Sequence, residues 1–199
     1  MQHLRTYNVC FVGRTGNGKS SLINNLWGTK FPTDPLVSCT KELYSVTVMS
    51  SLKEGYEAIT TFDTPGIGEF SDDSEYEGYY QHAIGMADCI VLVTTFDRTD
   101  APVQRFLRRI KNYTDPSKSI KLVIALNHID SKVIMDKEAT YQPWDESTNQ
   151  PSDICRKNIE TRINIIHQKF DGLLTSFEVV PVCSMRKYGL ENLMNKILF

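Results

Sequence analysis

The densest chemistry in the chain is Gly13-Arg14-Thr15-Gly16-Asn17-Gly18-Lys19-Ser20, which fits the pattern G-x-x-x-x-G-K-[ST]. Its glycines let backbone N–H groups turn inward and approach phosphate oxygens closely. Lys19 brings an ammonium to β- and γ-phosphates, Ser20 offers a hydroxyl to Mg²⁺, and a helix opening here presents its positive end. Ser21 is a further candidate contact. A second segment, Asp63-Thr64-Pro65-Gly66, reads alone as a strand running into a turn. Behind a phosphate loop, its carboxylate can hold Mg²⁺ through water and its Gly66 N–H can meet a γ-phosphate.

Such groups need elements to position them. An apolar run at residues 7–12 directly precedes the loop, and Leu22, Ile23, Leu26 and Trp27 recur at helical spacing after it. Runs at 44–49 and 58–62 alternate as paired strands around a polar turn at Lys53, Glu54 and Gly55, and 89–94, 120–126 and 177–182 read as further strands. Between and after them lie three helix stripes. The first is Val103, Phe106, Leu107 and Ile110, and the second is Ile159, Ile163, Ile166 and Phe170. The third is Leu190, Leu193, Met194, Ile197 and Leu198. This alternation predicts an α/β fold: a mostly parallel six-stranded sheet with one antiparallel edge strand and helices on both faces. Residues 131–153 break the rhythm, being polar, aperiodic and broken by Pro143 and Pro151. They are expected to form an irregular insertion within a single domain over 1–199.

Composition narrows the class. With 22 Lys and Arg against 24 Asp and Glu the net charge is −2, which argues against a chain devoted to coating nucleic acid or an anionic membrane. Hydrophobic residues at 41% are enough for a core, and no apolar run approaches the ~20 residues that span a bilayer. The opening MQHLRTYNVCFVG shows no signal-peptide pattern, and Cys10, Cys39, Cys89, Cys155 and Cys183 form no CxxC pair. Unpaired thiols in a cytoplasmic protein are expected.

In this order, the motifs resemble those of the translation-factor-like class of small GTPases, above all its Era-like branch, over the whole chain. Asn127-His128-Ile129-Asp130 after the fifth strand resembles the N-K-x-D signature, with His128 where Lys is usual. The resemblance implies that Asp130 accepts hydrogen bonds from the guanine N1–H and 2-amino groups, which adenine lacks, so that adenine is rejected. His128 would stack where the Lys stem lies over the base. Cys183, Ser184 and Met185 occupy the place of the segment backing the guanine, although an ordinary strand-to-helix loop would look the same. Thr40 lies where switch I supplies a ligand to Mg²⁺, with Ser38 as its competitor. A narrower resemblance rests on Trp144-Asp145, Gln150-Pro151-Ser152, Asn158-Ile159 and Asp63-Thr64-Pro65-Gly66-Ile67-Gly68-Glu69. It points to bacterial, often prophage-carried GTPases of the 50S ribosome-binding family.

The implied function is a guanine-nucleotide-binding protein using GTP or GDP with Mg²⁺ and hydrolysing GTP slowly as a switch. The alternative is a GTP-dependent assembly module with incidental hydrolysis. Lys19, Thr40 and Gly66 are the candidate catalytic groups, and Ser20, Thr40 and Asp63 the candidate metal ligands. Ile67 stands where many GTPases carry a water-orienting Gln, and Gly16 stands where a K⁺-binding Asn would be. Glu69 and Arg14 are weaker substitutes, more ordinarily solvated charges. Tyr76, Tyr79 and Tyr80 serve either sheet packing or a partner surface. An effector, an activating protein or a second copy would meet the switch regions. His3, His82 and His167 show no metal-like spacing.

Overall fold

The computed structural model describes residues 4–33, 42–67, 76–95, 101–131, 142–174 and 176–199. Six strands form one sheet: β1 (Thr6–Val12), β2 (Tyr44–Met49), β3 (Ala58–Asp63), β4 (Cys89–Thr94), β5 (Lys121–Leu126) and, late in the chain, β8 (Glu178–Pro181). Their spatial order is β2-β3-β1-β4-β5-β8. Every pairing is parallel except β2 with β3, where Tyr44 lies opposite Asp63 and Met49 opposite Ala58. The expected sheet, with its one antiparallel edge strand, is therefore what forms. Pro181 is tolerated because β8 is the opposite edge and ends there.

Helices cover both faces. Helices α1 (Lys19–Trp27) and α5 (Leu190–Leu198) cover one face, burying Leu22, Ile23, Leu193 and Ile197 against Val9, Phe11, Val91 and Val93. Helices α2 (Glu77–Met86), α3 (Ala101–Arg109) and α4 (Asp153–Phe170) cover the other, burying Tyr80, Ile84, Phe106 and Phe170 against Cys10, Val12, Ile90 and Leu92. Burial on both sides explains why β4 reads as an unbroken apolar run. No helix among the described residues is long and apolar enough to cross a membrane.

Three sequence expectations resolve in detail. Ile110 ends the α3 stripe inside a short 3₁₀ turn, Ile110–Asn112, rather than in the helix. Tyr76 and Tyr80 are buried, Tyr80 edge-on to Phe106, and Tyr79 stacks on Tyr76, so this cluster packs against the sheet. His82 likewise stands edge-on to Phe62 and His167 stacks on Phe177.

The stretch expected to be irregular contains a hairpin. Strands β6 (Trp144–Asp145) and β7 (Gln150–Pro151) pair antiparallel. The Asp145 carboxylate accepts from the Ser147 N–H and hydroxyl, which closes the turn. Ser152 then caps α4, its hydroxyl accepting from the Cys155 N–H, and its own N–H bonds back to the Pro143 carbonyl.

Cys10, Cys89, Cys155 and Cys183 are buried free thiols. Burial pushes Cys89 up to about 12, and burial aided by the Asp130 carboxylate pushes Cys183 up to about 12. Iodoacetamide at pH 8 is therefore expected to leave these four unmodified in the native protein and to alkylate all of them in urea. Peptide mass mapping checks this, and fast native labelling of Cys183 would contradict its burial.

Candidate functional site

The site lies at the carboxyl ends of the parallel strands, where the order changes direction around β1 and β4. The loop of residues 13–20 leaves β1 and runs into α1, whose N-cap is Gly18 at φ +88°. A Cβ on Gly18 would overlap the Asn127 Nδ2 and stand 3.3 Å from the His128 Nε2. The imidazole of His128 thus lies against the loop, on a residue that itself adopts φ 57°.

Lys19 is buried, its Nζ donating to the Gly13 carbonyl at 3.1 Å and lying 3.5 Å from the Arg14 carbonyl. The loop's own oxygens hold the ammonium in place. Arg14, Thr15 and Gly16 form the more accessible rim, while Asn17 turns inward and donates to the Val93 carbonyl at 2.9 Å. Ser21 lies one turn into α1, where its carbonyl accepts from Asn25.

The Ser20 hydroxyl donates to the Asp63 Oδ2 at 2.5 Å, joining the start of α1 to the end of β3. Asp63 is fully buried. The turn after it is stitched to the loop: the Thr64 hydroxyl donates to the Phe11 carbonyl at 2.9 Å, and the Ile67 N–H donates to the Gly13 carbonyl at 3.1 Å. A Cβ on Gly66 would overlap the Thr15 hydroxyl and stand 2.7 Å from its backbone N, so only glycine permits this approach. A hydroxyl beside a carboxylate is a hard-oxygen pair suited to Mg²⁺, which keeps waters and substrate oxygens as its remaining ligands. Thr40, Ser38 and Glu69 lie outside the described residues.

On the other side, Asn127 is fully buried and ties two segments together. Its Nδ2 donates to the Asn17 carbonyl at 2.9 Å and lies 3.4 Å from the Ser184 hydroxyl, while its Oδ1 accepts from the Ser184 N–H at 3.1 Å. Cys183 is buried and exchanges backbone bonds with Tyr188, whereas Met185 is 89% exposed. Asp130 accepts a hydrogen bond at its Oδ2 from the Nε of Arg186 at 3.1 Å. Arg186 also reaches both carboxylate oxygens of Glu146 at 2.8 Å, holding that carboxyl below the usual range. Sequence reasoning missed Arg186 and Glu146. One signal was present: Trp144, a large aromatic at the head of the polar run 145–150, implies something for it to cover.

The 50S ribosome-binding GTPase family matches residues 8–128. GTP-binding protein A of Dictyostelium discoideum is 25% identical over 194 residues, covering 93% of this chain and 41% of that protein. GTPase Era of Rickettsia conorii is 28% identical over 178 residues, covering 85% of this chain and 50% of that protein. Among solved structures, a variant of Aquifex aeolicus Era bound to GDP·AlF4⁻ aligns with TM-score 0.66 at 25% identity, covering 98% of this chain and 56% of that one. Era in complex with MgGDPNP and a segment of 16S ribosomal RNA aligns with TM-score 0.66 at 24% identity, covering 98% and 57%. The chain thus spans half or less of these two curated relatives.

Proposed function

The chain belongs to the 50S ribosome-binding GTPase family, and on that premise we propose that it binds GTP and GDP with Mg²⁺ and hydrolyses GTP slowly as a molecular switch. One observation carries the reading: the Ser20 hydroxyl and Asp63 carboxylate meet at 2.5 Å beside a loop that has already drawn the Lys19 ammonium into place. The reading takes 1–199 as one nucleotide-binding domain, which the single six-stranded sheet supports. A cytoplasmic location goes with it, in keeping with the four buried free thiols.

In this reading water attacks the γ-phosphorus, the bond to the bridging oxygen breaks, and GDP leaves with phosphate. Lys19 meets the charge on the β- and γ-oxygens, and the Gly66 N–H meets the γ-phosphate. Ser20 and Asp63, with Thr40 as the third candidate, would hold Mg²⁺, which neutralises charge gathering on the phosphate oxygens. His128, whose imidazole lies against the loop, would stack on the base, and Asp130 would read its N1–H and 2-amino edge. Thr15 and Gly16 would turn backbone N–H groups to the phosphates, while Asn17 braces the loop, its own N–H donating to the Arg14 carbonyl at 3.2 Å. Partners would meet the segments around Thr40 and Gly66.

Ile67 orients no water, since its side chain lacks a donor and an acceptor and is buried in the core. Ile67→Ala is therefore expected to cost about 2–4 kcal/mol of stability, while turnover per folded molecule changes little. That turnover is expected at ~10⁻⁴–10⁻² s⁻¹ and to be equal in Na⁺ and K⁺ buffers. Single-turnover hydrolysis alongside a melting curve checks both. Strong K⁺ stimulation would point to a cation ligand and sink this account.

Turnover measured against protein concentration, with GTP and ATP in parallel, tests the function itself. A linear dependence and a marked preference for GTP fit the switch. Turnover that rises faster than linearly, with GTP-dependent association, would instead favour an assembly module.

A further inference from the structure

Arg186 joins the base-reading carboxylate to the hairpin. Its Nε donates to the Asp130 Oδ2 at 3.1 Å, and its two terminal nitrogens grip Glu146 at 2.8 Å each. Its guanidinium carbon lies 4.8 Å from the centroid of the Trp144 ring. Trp144 is itself fixed: it is buried, edge-on to Tyr188 at 5.3 Å, and its Nε1 donates to the Asn149 Oδ1 at 3.1 Å. Asn149 in turn donates to the Arg186 carbonyl at 3.2 Å. Hairpin β6–β7 therefore holds both the head and the backbone of this arginine.

We propose that Arg186 is a positioning residue that sets base specificity, holding the Asp130 carboxylate in the orientation that accepts from the guanine 2-amino group. The inference rests on the reading that Asp130 faces guanine. Three physical points support it. An ionised carboxylate has about four lone-pair sites; Arg186 takes one at Oδ2 and the Cys183 thiol faces another, which leaves two for the base donors. The terminal torsion of an aspartate is broad and soft, so an unheld carboxylate would give up that freedom on binding, whereas a held one is preorganised. Two carboxylates share one guanidinium, so a net negative charge remains to face the base. Partly exposed ion pairs contribute little to folding stability. Precise placement is what a bidentate, ring-stacked arginine provides and a lysine does not.

The test compares affinities for GDP, for IDP (which lacks the 2-amino group) and for ADP, together with the melting temperature of the nucleotide-free protein. Wild type is expected to prefer GDP over IDP by about tenfold or more, with ADP weaker still. Arg186→Gln should weaken GDP more than IDP, bringing their ratio to within about threefold, as expected on losing one charge-assisted hydrogen bond. Arg186→Lys should not restore the ratio. Glu146→Gln, at a side chain 70% exposed, should shift the ratio the same way by less, and it stands in if Arg186→Gln fails to fold. Equal weakening of GDP and IDP would reduce Arg186 to a structural role and overturn the proposal. Tighter GDP binding in Arg186→Gln would overturn it too, by showing that the arginine competes with the base. Equal binding of GDP and ADP by wild type would instead remove the guanine reading beneath it.

Discussion

Lys19→Ala is expected to weaken GTP binding by about 10²–10⁴-fold, the equivalent of two hydrogen bonds to charged oxygens at ~1.5–3 kcal/mol each. The expectation rests on placement. The ammonium is buried and held by the Gly13 carbonyl, so it faces incoming phosphate without first being ordered. The Gly13 and Arg14 carbonyls that the ammonium meets lie at the mouth of the loop, where Arg14 is half-buried and water can replace the ammonium. The circular-dichroism spectrum should therefore stay native while affinity collapses. Titration with a fluorescent GTP analogue measures the loss, and retention of wild-type affinity in a folded variant would remove residues 13–20 from the phosphate site.

Asp130→Asn is expected to invert base preference, changing the ratio of guanine to xanthine nucleotide affinity by about 10³ or more. The carboxylate only accepts, which suits the two donors of guanine. An amide both donates and accepts, which suits xanthine, whose C2 carries an oxygen. A guanine bound against the amide would leave a buried donor facing a donor. Competition of GDP, XDP and ADP against one labelled nucleotide reads the inversion. Comparable ATP and GTP affinities in the wild-type protein would contradict the guanine assignment outright.

How much of this was legible in the sequence depends on how far apart the cooperating residues lie. The strand, loop and helix around residues 13–20 were legible because their pattern is local: an apolar strand, three glycines, Lys19 and Ser20 fall within one short segment whose spacing dictates its shape. Strand β4 was legible because burial on both faces leaves an apolar run. Hairpin β6–β7 was not, since its strands of two residues carry no periodicity and are set by Trp144 meeting Tyr188 and by Ser152 bonding to Pro143. The Arg186 bond to Asp130 spans 56 residues, and only the folded sheet brings the ends of β5 and β8 side by side. Tyr76 and Tyr80 had two readings because helical spacing alone does not say what a stripe faces, and burial settled it for packing.

The buried amide of Asn127 has a mechanical consequence. One side chain bonds the Asn17 carbonyl in the phosphate loop and the Ser184 N–H in the segment after β8. Separating those two segments would strand an amide where no water reaches, at about 1–3 kcal/mol for each group left unmatched. The distance between the two ends of the cleft is therefore fixed, and the cleft works as a ruler. On the proposed reading, a free nucleobase or inorganic pyrophosphate would engage one end of the ruler, and only a molecule of the full nucleotide length would engage both. Departure of that molecule would then be one concerted loss of grip at both ends, its residence time governed by the whole span rather than by either end alone.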